Sequence, residues 1–223
     1  MSVISRGFSG RRTAENANLP PGQYLTTDFP VLSAGPTPHI PLDRWEFTIR
    51  DENNALLRRW DWKSFRELPS ETPTVDLHCV TRWSKFGTTW EGVSLDTLLT
   101  GVQTDAAYVM AHSYGDYTTN LPVDDLKNGK AWIAFRFDGK ELEPEHGGPA
   151  RLLVPHLYLW KSAKWVRGLQ LMRQDNPGFW EGLGITFTEI HGVSNDTRAT
   201  NSVARWNGRC SARRNANRAD DHA

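Results

Sequence analysis

The stretch TVDLHCVTRWSKFGTTW, residues 74–90, decides how this chain is read. Its first half alternates, with Val75, Leu77 and Cys79 on one face and Asp76 and His78 on the other, the period-2 pattern of a strand. Cys79 therefore falls near a strand end. A loop then carries Thr81, Arg82, Trp83, Ser84 and Lys85, two cations beside an aromatic plate. Positive charge near a thiol favours the thiolate, the form that binds metals or attacks electrophiles. A lone cysteine also serves as a buried structural residue, and this stretch alone leaves both readings open.

Working outward, the 223 residues are enough to bury one sizeable core, and a single main domain is expected. Lys plus Arg equals Asp plus Glu at 26 each, so no global charge favours nucleic acid or a membrane surface. Cys79 and Cys210 lie far apart in unlike surroundings, a poor disulfide framework that fits a reducing compartment. Arg11-Arg12 is followed by polar residues rather than an apolar run, and no stretch reaches the ~18 apolar residues of a membrane helix. The composition thus predicts a cytoplasmic protein without a membrane segment.

Along the chain, residues 1–23 read as a polar arm and residues 24–41 as an extended, proline-rich wrap held by Tyr24, Phe29, Val31 and Leu32. Residues 45–49 and 55–60 form a predicted hairpin around the turn Asp51-Glu52-Asn53-Asn54. A short helix is expected over residues 61–68, capped by Asp61, and another over residues 94–99, capped by Ser94. Strands are expected over residues 106–112 and 131–137, the second closed by the hairpin pair Asp138-Gly139. Between them, residues 114–119 read as a turn-rich excursion and 123–127 as a helical turn.

A second informative stretch is PEHGGPARLLVPHLYLWKSAKWVRGLQLM, residues 144–172. A tight Gly147-Gly148-Pro149 loop precedes a strand over residues 151–154, and Lys161, Lys164 and Arg167 alternate with Trp160 and Trp165. Cations beside flat aromatics suit an anionic ligand that carries a phosphate and a planar ring. A solvated basic face over core tryptophans accounts for the same residues.

Taken together, these two stretches resemble the sulfite oxidase family of molybdopterin-dependent oxidoreductases. The likeness spans residues 29–179 and is greatest to the small bacterial members similar to the methionine sulfoxide reductase catalytic subunit. The resemblance implies an α+β, sulfite oxidase-type fold of mixed sheets with short peripheral helices, and a molybdenum-molybdopterin cofactor. It makes Cys79 the protein ligand to the metal, a soft donor for a redox-active ion, with Val80 to Trp83 shaping the substrate pocket. It gives Arg151 and the clamp Ser162, Ala163 and Lys164 to the pterin phosphate, and Ser113 and His146 to further cofactor contacts. His146 replaces an asparagine of the sulfoxide reductase, and Arg82 stands where that enzyme has a small residue. Arg82 is therefore the candidate to attract an oxyanion or polarise a sulfoxide.

The activity implied by the resemblance is oxygen-atom transfer on a small sulfur oxyanion or sulfoxide, with electrons exchanged with a separate protein. A histidine-based zinc site is excluded, because the histidines show no ligand spacing. A non-catalytic, aromatic-rich binding module is the alternative, since ten tryptophans could line a groove.

The resemblance fails after Trp180. Where the small relatives run Gly-Tyr-His and then Gly-Asp-Pro-Trp, this chain reads GITFTEIHGVSNDTR over residues 184–198. Codons exist that encode Leu183 to Thr197 and, read two bases on, give GHHVHGDPWREQRY. Residues 183–223 are therefore expected to be a frameshifted, largely disordered tail on a domain spanning residues 24–182, and a domain inactivated by that end is a further alternative.

Overall fold

The computed structural model describes residues 19–184. Its strands are β1 (Tyr24–Leu25), β2 (Glu46–Arg50), β3 (Leu56–Asp61), β4 (Thr74–His78), β5 (Trp83–Ser94) and β6 (Tyr108–Ser113). They continue as β7 (Thr118–Pro122), β8 (Trp132–Phe137), β9 (Lys140–Glu141), β10 (Arg151–Leu153) and β11 (Val166–Met172). The helices are short: α1 (Trp62–Arg66), α2 (Leu95–Leu98) and α3 (Phe179–Gly182).

Two mixed sheets form. One runs β1-β5-β8-β10, with β4 added to β5 and β9 to β8; the other runs β3-β2-β11-β6-β7. Mixed sheets edged by short helices are the α+β arrangement expected. Both predicted helix caps are present. The Asp61 side chain accepts from the Ser64 amide and the Ser64 hydroxyl accepts from the Asp61 amide, a reciprocal capping box, while Ser94 accepts from the Thr97 amide.

Strand β8 explains where the site lies. Its alternating side chains feed two separate cores, Ile133 and Phe135 on one face and Trp132 and Ala134 on the other. The first core fills the space between the sheets with Phe47, Ile49, Val109, Leu169 and Leu171 from the second sheet and Phe65, Leu95 and Leu98 from the helices. The second covers the outer face of the first sheet and joins Leu77, Cys79, Trp83, Trp90 and Leu153. At about 1.5–3 kcal/mol for each large apolar side chain buried, this second core is a substantial packing unit. Cys79 sits within it.

Three local expectations are corrected. Trp83, Ser84 and Lys85 do not belong to a loop but open the 12-residue strand β5, because β1, β4 and β8 all pair with it and satisfy its backbone. Thr118 and Thr119, expected in the turn-rich excursion, open β7 against β6. Tyr24, Val31 and Leu32 do not anchor the wrap, being 56%, 52% and 42% exposed. Phe29 anchors it instead. It stacks on His146 with centroids 4.1 Å apart and meets Trp83, Trp90 and Phe137 edge-on or tilted. The altered end, from residue 185 on, and residues 1–18 of the arm lie outside the described residues.

Candidate active site

Cys79 comes directly after β4 and is held by backbone on both sides. Its amide donates to the Trp83 carbonyl at 2.9 Å, and its carbonyl accepts from the Arg82 amide at 2.9 Å, closing a tight turn over residues 79–82. The thiol is 5% exposed, and Thr81 Oγ1 donates to its Sγ at 3.1 Å. Burial pushes the thiol up from its ordinary value, against the pull of Thr81 and Lys164. The expectation that Arg82 and Lys85 favour the thiolate is therefore corrected. Lys85 Nζ instead donates to the Thr27 carbonyl at 2.6 Å, and the cation acting on the sulfur is Lys164, from the other informative stretch.

Beside the sulfur lies a cavity of about 330 Å³, lined by Cys79, Val80, Trp83, Arg151, Ser162, Ala163 and Lys164 among others. Two stretches some seventy residues apart in sequence thus converge on one space. Phe29, Trp160, Trp165, Phe179 and Trp180 complete its walls, and residues 32–36 close one side.

Arg151 is 1% exposed, yet no carboxylate meets it among the described residues. Its guanidinium donates to the carbonyls of His146 at 2.9 Å, Ser162 at 2.8 Å and Leu152 at 3.4 Å, which occupies three of a guanidinium's five N–H groups. Trp90 lies under it, with its ring centroid 5.6 Å from Cζ. Desolvation pushes it down to about 10. Lys164 Nζ donates to the carbonyls of Leu32 at 2.9 Å and Glu145 at 2.5 Å, and desolvation, with Arg151 second, pushes it down to about 8. Buried cations without counter-ions are costly. An anion bound in the cavity would relieve that cost.

The loop behind them is built on close approach. A Cβ on Gly148 would lie 2.0 Å from the Leu142 carbonyl oxygen, and one on Gly147 would lie 3.0 Å from Arg151 Cβ and 3.1 Å from Lys164 Cα. Ser162 uses its hydroxyl to accept from the Val154 amide at 2.9 Å, so it fixes the clamp from within. Ser113 Oγ and His146 Nδ1 are buried with no partner in the structure. Neither residue lines the cavity.

Arg82, the substrate candidate, and two of the three cations that alternate with tryptophans in the second stretch lie outside the cavity lining. Arg82 is exposed, adopts φ 75° and is absent from the cavity lining. Lys161 is engaged by Glu181 at 2.5 Å and by the Asn120 carbonyl at 2.7 Å, and Arg167 is exposed. Gln23, assigned to the arm, donates to the Cys79 carbonyl at 3.1 Å, and Ser84 Oγ bridges its amide oxygen to buried His78. The sequence carries no sign of Gln23, which acts through the folded turn, and it places Thr81 beside Cys79 without showing that its hydroxyl reaches the sulfur.

A soft sulfur donor, a buried guanidinium lacking an anion and unpartnered polar atoms nearby fit a phosphate-bearing cofactor with a thiophilic metal. Residues 34–180 match the family model described as oxidoreductase molybdopterin binding domain. The chain belongs to that family. As such it is a molybdenum-dependent oxidoreductase domain that binds molybdopterin. Uncharacterized oxidoreductase YuiH of Bacillus subtilis is 39% identical over 179 residues, covering 78% of this chain and 89% of that protein. A putative protein-methionine-sulfoxide reductase subunit of Azospira oryzae, YedZ1, is 28% identical over 130 residues, 57% of this chain and 49% of its own length. The sulfane dehydrogenase SoxCD from Paracoccus pantotrophus shares the fold at a TM-score of 0.54 and 21% identity, over 62% of this chain and 40% of its own. The chain thus spans half or less of these last two proteins. Among the described residues, no helix is long and apolar enough to cross a membrane.

Proposed function

We propose that this family member reduces a neutral sulfoxide to the thioether, with two electrons and two protons, releasing water. When bound, molybdenum-molybdopterin supplies the oxygen-atom transfer. The chain's own residues bind it and shape what can approach. Cys79 is the metal ligand, Arg151 and Lys164 hold the phosphate with Ser162 and Ala163 as the backbone of that clamp, and Ser113 and His146, whose buried Oγ and Nδ1 lack partners outside the cavity lining, become further cofactor contacts when the site fills. Trp83 walls the substrate side.

One observation carries the choice of substrate. Of the residues lining the cavity, Arg151 and Lys164 are the cations, and both are assigned to phosphate, while Arg82 stands exposed outside it. An oxyanion such as sulfite therefore meets no free positive charge there. Aromatic walls from Phe29, Trp83, Trp160 and Trp180 instead suit the apolar substituents of a sulfoxide. The relative named as a methionine-sulfoxide reductase subunit supports the same choice.

The electrons come from a separate protein, and the poor disulfide framework of Cys79 and Cys210 supports a cytoplasmic setting. The test is protein purified from a pterin-making host, assayed for molybdenum and pterin and then for turnover with an aryl methyl sulfoxide and with sulfite. Sulfoxide reduction that is lost in Cys79→Ser, with Arg82→Ala unaffected, is the expected result. Preferential sulfite oxidation that collapses in Arg82→Ala would reverse the substrate assignment.

A further inference from the structure

The turn that presents Cys79 also presents a donor to its sulfur. The Arg82 amide closes the turn onto the Cys79 carbonyl, which brings Thr81 back over the sulfur so that Oγ1 lies 3.1 Å from Sγ. The backbone amides of Val80 and Thr81 act on the sulfur in the same sense, each stabilising negative charge there. Val80, Trp83 and Phe29 line the same cavity, and Lys164 adds its charge from the other stretch, so Thr81 is the side-chain hydrogen-bond donor to the sulfur among the described residues.

A hydrogen bond donated to a metal-bound thiolate withdraws lone-pair density from the sulfur. It weakens donation to the metal and favours the reduced state, as hydrogen bonding to cysteine sulfur does at other redox centres. We propose that Thr81 is a tuning residue for the molybdenum, its hydroxyl acting through Cys79 Sγ to raise the metal's reduction potential. Valine is nearly isosteric with threonine, so the protein uses a hydroxyl where packing alone does not need one. The inference rests on Cys79 being the metal ligand. Thr81 acts through the sulfur and touches no reacting atom.

The experiment uses molybdenum-loaded protein and compares Thr81→Val and Thr81→Ser with the parent chain, every signal being normalised to bound molybdenum. Thr81→Val should move the sulfur-to-metal charge-transfer absorption to lower energy and lower the midpoint potential in a mediator titration. Thr81→Ser should restore both. An unchanged band and potential in Thr81→Val, or a serine variant that behaves like the valine one, overturns the proposal. So does a valine variant that loads no molybdenum while the serine variant loads fully, because the hydroxyl would then serve insertion. Cys79→Ala separates this from the ligand assignment. If its band is unchanged, the ligand reading itself fails; if it loses the band or the metal while Thr81→Val is silent, only the role of Thr81 falls.

Discussion

The side-chain amide of Gln23 donates to the Cys79 carbonyl at 3.1 Å, across 56 residues of sequence. Gln23 lies before the part of the chain that matches the family model, yet it braces the turn that carries the proposed metal ligand. The Tyr24 amide adds a bond to the Arg82 carbonyl at 2.8 Å, and the Thr26 amide another to the Ser84 carbonyl at 2.9 Å. Gln23→Ala should cost about 1 kcal/mol, the usual net value of one hydrogen bond. Molybdenum per chain should fall with it. Urea unfolding and metal analysis on the same preparation check this, and unchanged values in both would leave Gln23 without a role.

Arg151 and Lys164 should separate in their effects. Arg151→Ala strands the carbonyls of His146 and Ser162 in a buried site, at a cost on the order of 3 kcal/mol or more. Lys164→Ala frees two better-exposed carbonyls and should cost about 1 kcal/mol or less. Both should lower cofactor occupancy before they alter turnover per bound molybdenum. Full occupancy in the double variant would take the phosphate role away from both cations.

Gly148→Ala places a Cβ against backbone, 2.0 Å from the Leu142 carbonyl oxygen. Nothing flexible can yield there, so a loss of about 3 kcal/mol is expected, accompanied by a drop in cofactor content. Gly87→Ala is the control for added bulk, since its Cβ would meet nothing within 4 Å, although its φ of 63° adds some strain of its own. Thermal unfolding of the two variants should rank Gly148→Ala well below Gly87→Ala.

His112 predicts a pH dependence away from the metal. Burial holds its imidazole below the ordinary value of 6.5; the Gln170 hydrogen bond opposes this and Arg167 adds to it. The unfolded chain therefore takes up the proton first as pH falls. Stability is fully present above 6.5 and is lost as pH drops through 6.5 toward the lower folded value. His112→Gln should flatten that decline, as read from urea midpoints at about pH 7.5 and about pH 5.5. A steeper decline would contradict it. Some slope should persist, because burial also lowers His78 and His146.

Much of this architecture was legible from local chemistry. Asp61 and Ser94 cap their helices as their side chains dictate, and Asp138-Gly139 turns β8 into β9. The convergence of Cys79 with Arg151 and Lys164 came from two stretches whose joint resemblance exceeded what either carried alone. The features that escaped were decided at a distance. Strand β5 looked like a charged loop until its partners β1, β4 and β8 were known, and Arg82 stands exposed outside the cavity lining on a left-handed backbone that composition does not announce. Lys161, placed with the phosphate cations by spacing, is drawn off by Glu181, whose position depends on α3.

The wall of the cavity formed by residues 32–36 has a consequence for how the protein is made. Its polar anchor, the bond from Lys164 to the Leu32 carbonyl, joins positions 132 residues apart. During synthesis the N-terminal part emerges first. The strap therefore leaves the ribosome long before its fastener exists, and the pocket keeps an open side until translation has passed Lys164. Closure of the cavity is in this way a late event of synthesis, and a product that stops short of residue 164 lacks the fastener.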